Sequence, residues 1–138
     1  EKWRAFIKVE WPYIESRDIL TGVKDIESGL DKLGAIREDI YRRQINTGQA
    51  LAFYTGMNRV LLAVVPNIAE LAEDGFMASE ILSYGQFLQG KERAGIERAV
   101  LSNTFAADRF NPGMFQKFVT LIADQNTYFR LFEANASE

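Results

Sequence analysis

Residues Ile19–Ile40, ILTGVKDIESGLDKLGAIREDI, decide the architecture. Apolar side chains fall at Ile19, Val23, Ile26, Leu30, Leu33 and Ile40, and Arg37 takes the slot between the last two. Steps of four and three residues place these positions on one stripe of a helix. The result is a heptad-like seam suited to a long antiparallel or coiled partner. Only three prolines and ten glycines punctuate the 138 residues, and β-branched runs are short, so helical period dominates the rest of the chain as well.

Working outward, Pro12 suits a first helical turn and is expected to start or kink this helix. Trp3, Phe6 and Ile7 suggest a short helical piece before it. RRQINTGQ, Arg42 to Gln49, reads as a turn, and a second helix is expected from about Gln49 to Glu73. Leu51, Tyr54, Leu62 and Val65 form one stripe of it, and Phe53, Met57, Val64, Ile68 and Leu71 form another, which predicts burial over a wide arc. Pro66 is expected to kink it. EDGF, Glu73 to Phe76, is the next turn, and a third helix runs from about Met77 to Ala107. Asn111 as N-cap and Pro112 at the first helical position would open a fourth. Its apolar face carries Phe115, Phe118, Ile122, Phe129 and Phe132, which read as core together with Phe105 and Phe110. The expectation is one all-α domain over residues 1–138, an up-and-down antiparallel helical bundle of about four helices.

Composition narrows the function. Hydrophobic residues make up 47% and charged residues 25% of the chain, an ordinary globular balance that excludes disorder. A net charge of −3 gives no basic surface for nucleic acid. There is no cysteine, hence no disulfide framework and no thiolate metal site, and no histidine, hence no Ser-His-Asp or Cys-His chemistry and no Glu-x-x-His di-iron site. Acidic pairs such as Glu38-Asp39 and Glu73-Asp74 lack metal-loop spacing and read as solvated. No catalytic residues, metal or cofactor are therefore assigned, and the chain is not expected to be an enzyme. No run approaches the roughly 20 apolar residues of a membrane span. The chain begins at Glu1 and reads as a piece of something larger.

KERAGIERAV, Lys91 to Val100, interrupts the apolar pattern of the third helix with five charges and a glycine. Arg93 has Glu97 four residues on, so this pair can neutralise itself on the outside. Glu92 and Arg98 have no local partner of opposite sign, and Arg37 repeats the situation in the first seam. One reading pairs Glu92 across helices with Arg98 or Arg37, and Gly95 merely lets two helices approach. The other has arginines pointing into a gap where their planar donor fork grips a small anion, with Gly95 making room and Glu92 or Glu97 holding the arginine in place. Tyr54, Thr55 and Asn58 on the second helix could complete such a site. Geometry within the sequence leaves both readings open.

KERAGIERAVLSNTFAADRF, followed by the phenylalanine-rich FQKFVTLIADQNTYFRLFEANAS, resembles the NIT family, the nitrate- and nitrite-sensing domains of bacterial receptors. LGAIREDI and ALAFYTGMNRVLL are similar to the middle helices of that family, and the likeness covers roughly Leu30 to Ser137, with residues 1–30 matching least. The family's Q-x-ERG-x-S motif does not occur in these residues. The resemblance implies a helical sensor domain of a chemoreceptor or sensor kinase, on the extracytoplasmic (periplasmic) side of an inner-membrane receptor or, alternatively, cytoplasmic. It implies a homodimer, an effector domain in the same full-length protein, and a small anion such as nitrate or nitrite as ligand. The residues expected to hold that anion are Arg98, with Arg37 or Arg93, assisted by Glu92, Glu97, Gly95, Tyr54 and Asn58. The competing expectation is a scaffold or dimerisation module with no small-molecule ligand, whose charges fix helix register.

Overall fold

The computed structural model describes residues 16–136. They form four helices and no strand: α1, Arg17–Tyr41; α2, Thr47–Ala69; α3, Gly75–Ala107; and α4, Met114–Asn135. The fold is the expected all-α, up-and-down arrangement. The readings of Pro12 and of Trp3, Phe6 and Ile7 lie outside the described residues.

Local chemistry sets the ends of the helices. Asn46 caps α2 through a reciprocal box: its side-chain oxygen accepts from Gln49 N–H at 2.9 Å, and its own N–H donates to Gln49 Oε1 at 2.9 Å. Asp74 caps α3 by accepting from Met77 N–H at 2.7 Å, so α3 starts two residues earlier than its apolar pattern predicts. At the other end of α3, Asp108 adopts the left-handed region at φ 52°, which short polar side chains tolerate, and Arg109 N–H returns to Thr104 C=O.

Asn111 does not cap α4. Its carbonyl accepts from Met114 N–H at 2.9 Å across Pro112 and Gly113, and Gly113 has φ 77° and ψ −12°. Proline second and a positive-φ glycine third make a type II turn, and the helix begins only after it. Pro66 lies in the last turn of α2, which ends three residues later at Ala69 rather than running on to Glu73.

Register follows from which side chains meet. A Cβ on Gly22 would stand 2.7 Å from Val64, and Gly29 lies directly over Met57, so α1 and α2 run antiparallel in heptad steps. Gly85 meets Val65, and Gly90 meets Phe129, in the same antiparallel sense along α2–α3 and α3–α4. Among the described residues each helix packs only on its neighbours in sequence: α1 on α2, α2 on α3, and α3 on α4.

The α1 seam is buried in its first half. Ile19, Val23 and Ile26 are sealed together with Val64 and Ala69 of α2, and each buried isoleucine or valine contributes about 2 kcal/mol. Leu30 and Leu33 are half-buried, and Ile40 is 38% exposed. Arg37 therefore stands in solvent where the seam has already opened, and bears no burial cost. Between α3 and α4, Phe87 packs its ring against Phe129 and Phe132, with centroids 6.2 and 5.3 Å away. The expectation that all the phenylalanines are core holds for this cluster and fails at the far tip. Phe105 is 79% and Phe115 60% exposed there.

Candidate functional site: the charged middle of the third helix

Lys91–Arg98 lies in the middle of α3, and the 100° rotation per residue sends its charges three ways. Glu92 turns to α2, where its Oε2 accepts from Asn58 Nδ2 at 2.6 Å. Arg93 and Glu97, four residues apart, turn to α4. The Arg93 guanidinium lies 4.7 Å from the centroid of the Tyr128 ring, makes a weak 3.5 Å contact to its hydroxyl, and donates to Gln89 Oε1 one turn back. Glu97 accepts from Gln125. Lys91, Gly95 and Arg98 share the remaining face and are exposed.

Two expectations are corrected by this geometry. Arg93 and Glu97 do not neutralise each other on the outside: both are half-buried, and each is spent on a neutral partner of α4 or α3. Glu92 is not matched by Arg98 or Arg37, since a neutral amide holds it instead. Carboxylates and a guanidinium satisfied by amides and a phenol ring avoid the unpaired burial that would be costly, while their charges remain uncancelled.

Gly95 does not serve the first of its two expected roles, the close approach of a second helix. No described atom lies within 4 Å of the position a Cβ would take there, so no described helix approaches it and the space beside it is open. The glycine that admits a helix is Gly90, buried, with Phe129 Cε1 2.6 Å from the virtual Cβ. Arg37 and Arg98 are not brought together, because α1 and α3 do not pack on each other. Tyr54 is half-buried with its ring edge-on to Phe53 at 5.5 Å, and Asn58 one turn on is the residue of that pair that reaches α3.

Three members of the cluster escaped the sequence reading: Gln89, Gln125 and Tyr128. A signal was present. Leu121, Gln125, Tyr128 and Phe132 follow the same four-three spacing as an apolar seam, and polar groups on such a stripe announce a polar partner across the interface. Among the described residues no group of His, Cys, Asp or Glu is placed to hold a metal ion, and no helix is long and apolar enough to cross a membrane.

The described residues thus form a helical hairpin stack whose third helix carries a charged middle segment, three of its charges tied to neighbouring helices and two exposed. The model of the NIT family, described as nitrate and nitrite sensing, matches residues 10–138, and the chain belongs to that family. The match begins well before Leu30, where the motif likeness begins. The nitrate regulatory protein of Klebsiella oxytoca is 33% identical over 107 residues, which is 78% of this chain and 27% of that protein. No solved structure gives a significant match.

Proposed function

We propose that the chain is the ligand-sensing domain of a bacterial signal-transduction protein of the chemoreceptor or sensor-kinase type, and that its ligand is nitrate or nitrite. The observation that carries this reading is the family match over nearly the whole chain. The name of the Klebsiella relative, a nitrate regulatory protein, supports the ligand. Arg98 is the anchor. Its guanidinium is exposed, its neighbours Glu92, Arg93 and Glu97 are engaged with α2 and α4, and Gly95 leaves the helix backbone beside it uncovered. A rigid fork of donors suits the planar oxygens of nitrate.

Lys91, two turns back on the same face, adds a second positive charge. Arg37 is the less favoured helper, since it sits on a helix that α3 does not touch. An anion on this face shifts helix packing only by favouring one arrangement over another. Glu92 and Glu97, which tie α3 to both neighbours, are the contacts through which that preference is felt. The domain works as a homodimer, on the extracytoplasmic side of an inner-membrane receptor, with an effector domain in the same polypeptide. The relative, of which the chain covers 27%, has room for one.

Thermal unfolding in nitrate, nitrite, sulfate and chloride at matched ionic strength tests the reading. Ligand at a hundred times its dissociation constant adds about 2.7 kcal/mol, on the order of several degrees. The expected result is a rise with nitrate or nitrite alone that disappears in Arg98→Ala. The same melting temperature in all four salts would overturn it and favour a scaffold module.

A further inference from the structure

A second concavity in the molecule contains none of the charged residues discussed above, although Thr55 borders it. Where α2 begins and α3 ends, the start of α4 closes a cleft of about 770 Å³. That is within the range of small-molecule sites, about 300–1,000 Å³, and many times the size of a nitrate ion. Among the described residues its walls include two cations, Arg59 from α2 and Lys117 from α4, and no carboxylate, in a chain where acidic residues outnumber basic ones, 19 to 16. Neither cation has an ion-pair partner among the described residues. Thr55 and Asn103 face the same space with side chains that make no hydrogen bond among the described residues. The floor is apolar, formed by Leu51 of α2, Met114 of α4 and the buried Val100 of α3.

We infer that this cleft binds an organic carboxylate: an anionic group held by Arg59 and Lys117, and an apolar body lying on Leu51, Val100 and Met114. Unspent donors, uncompensated positive charge and an apolar floor meet in one concavity, which is how orientation and affinity are divided in small-molecule sites. Arginine supplies a two-pronged match to a carboxylate, and lysine adds a point charge on the other wall. The floor distinguishes this ligand from an inorganic ion, which would leave that apolar surface wet. Because the cleft touches α2, α3 and α4, an occupant bears on the same helices that Asn58–Glu92 and Gln125–Glu97 tie together.

Gly48 and Gly56 line the cleft, and their backbone amides serve as reporters in a ¹⁵N-labelled protein. Titration with benzoate is expected to give saturating shifts at both. Benzyl alcohol, of similar shape but neutral, and inorganic phosphate, charged but without an apolar body, are each expected to bind at least about tenfold more weakly. The double variant Arg59→Gln, Lys117→Gln should lose the benzoate shifts while keeping its far-ultraviolet circular dichroism, and Arg98→Ala should retain them. Absence of saturation with benzoate, equal shifts with benzyl alcohol or phosphate, or benzoate shifts unchanged in the double variant would each overturn the inference. A nitrate titration in the same samples is read at Gly95, so failure of the nitrate site and failure of this one appear at different amides.

Discussion

Gly90 and Gly95 stand five residues apart on one helix and do opposite things. Gly90 faces inward, where a ring of α4 occupies the space its missing side chain leaves, and the α3–α4 interface closes over it. Gly95 faces outward into open space, between the exposed Lys91 and Arg98. The inner face has turned its small residue and its charges into helix–helix contacts, whereas the outer face holds a glycine and two cations that pack against nothing described. Glycine in a helix interior costs about 1 kcal/mol relative to alanine, and at Gly90 close packing returns that cost. At Gly95 no contact offsets it, so the outer face is where a purpose other than stability is to be sought.

Substitutions at these faces should separate them by sign as well as by size. Gly90→Val drives a branched side chain into Phe129 and should destabilise by about 2 kcal/mol, within the usual 1–3 kcal/mol of overpacking. An unchanged denaturation midpoint would mean that the Phe129 ring swings away freely and that the inner face is less tightly specified than drawn. Asn58→Ala strands the Glu92 carboxylate between α2 and α3 and should cost about 1–2 kcal/mol. Recovery of most of that loss when Glu92→Leu is added would confirm the coupling, and purely additive effects would dissolve it. Gly95→Ala should stabilise by about 0.5–1 kcal/mol, since the new methyl meets no atom and the helix gains a better former. A loss of stability there would erase the contrast with Gly90. Under the proposed function, the same alanine should weaken the nitrate-dependent rise in melting temperature.

The helices were legible because their signals are local. The α1 seam repeats in strict steps, and its first half is buried as written. Both missed caps were also in plain view: Asn46 with Gln49 three residues on, and Asp74 ahead of the third helix. The start of α4 was ambiguous for a physical reason. Asn-Pro is a good cap and first turn, but Pro followed by Gly is an equally good type II turn, and the positive φ of Gly113 settles the competition. Periodicity assigned Phe105 and Phe115 a face without saying whether anything covers that face, and nothing described does.

The charged stretch was found from sequence, but its wiring was not. Spacing along α3 lists the neighbours each charge has within its own helix. The groups that hold Glu92, Arg93 and Glu97 come from α2 and α4, through a register fixed by Gly85 on Val65 and Gly90 on Phe129. Once that register is known, Asn58, Gln125 and Tyr128 follow. Without it, opposite charges are the natural partners to guess, and the structure uses neutral ones.

The neighbour-only packing of the four helices shapes how the domain folds and opens. Among the described residues all interhelical contacts form within helical hairpins, so closure there proceeds by short loops and contact order is low, the regime of fast folding. Cooperativity is then passed along the stack as in a short repeat array, each interface stabilising the next. Among the described residues α1 is held by α2 alone, so its opening while the α3–α4 pair stays closed is a sub-global event costing less than complete unfolding. Such an arrangement carries a graded response, each described interface able to give way before the next.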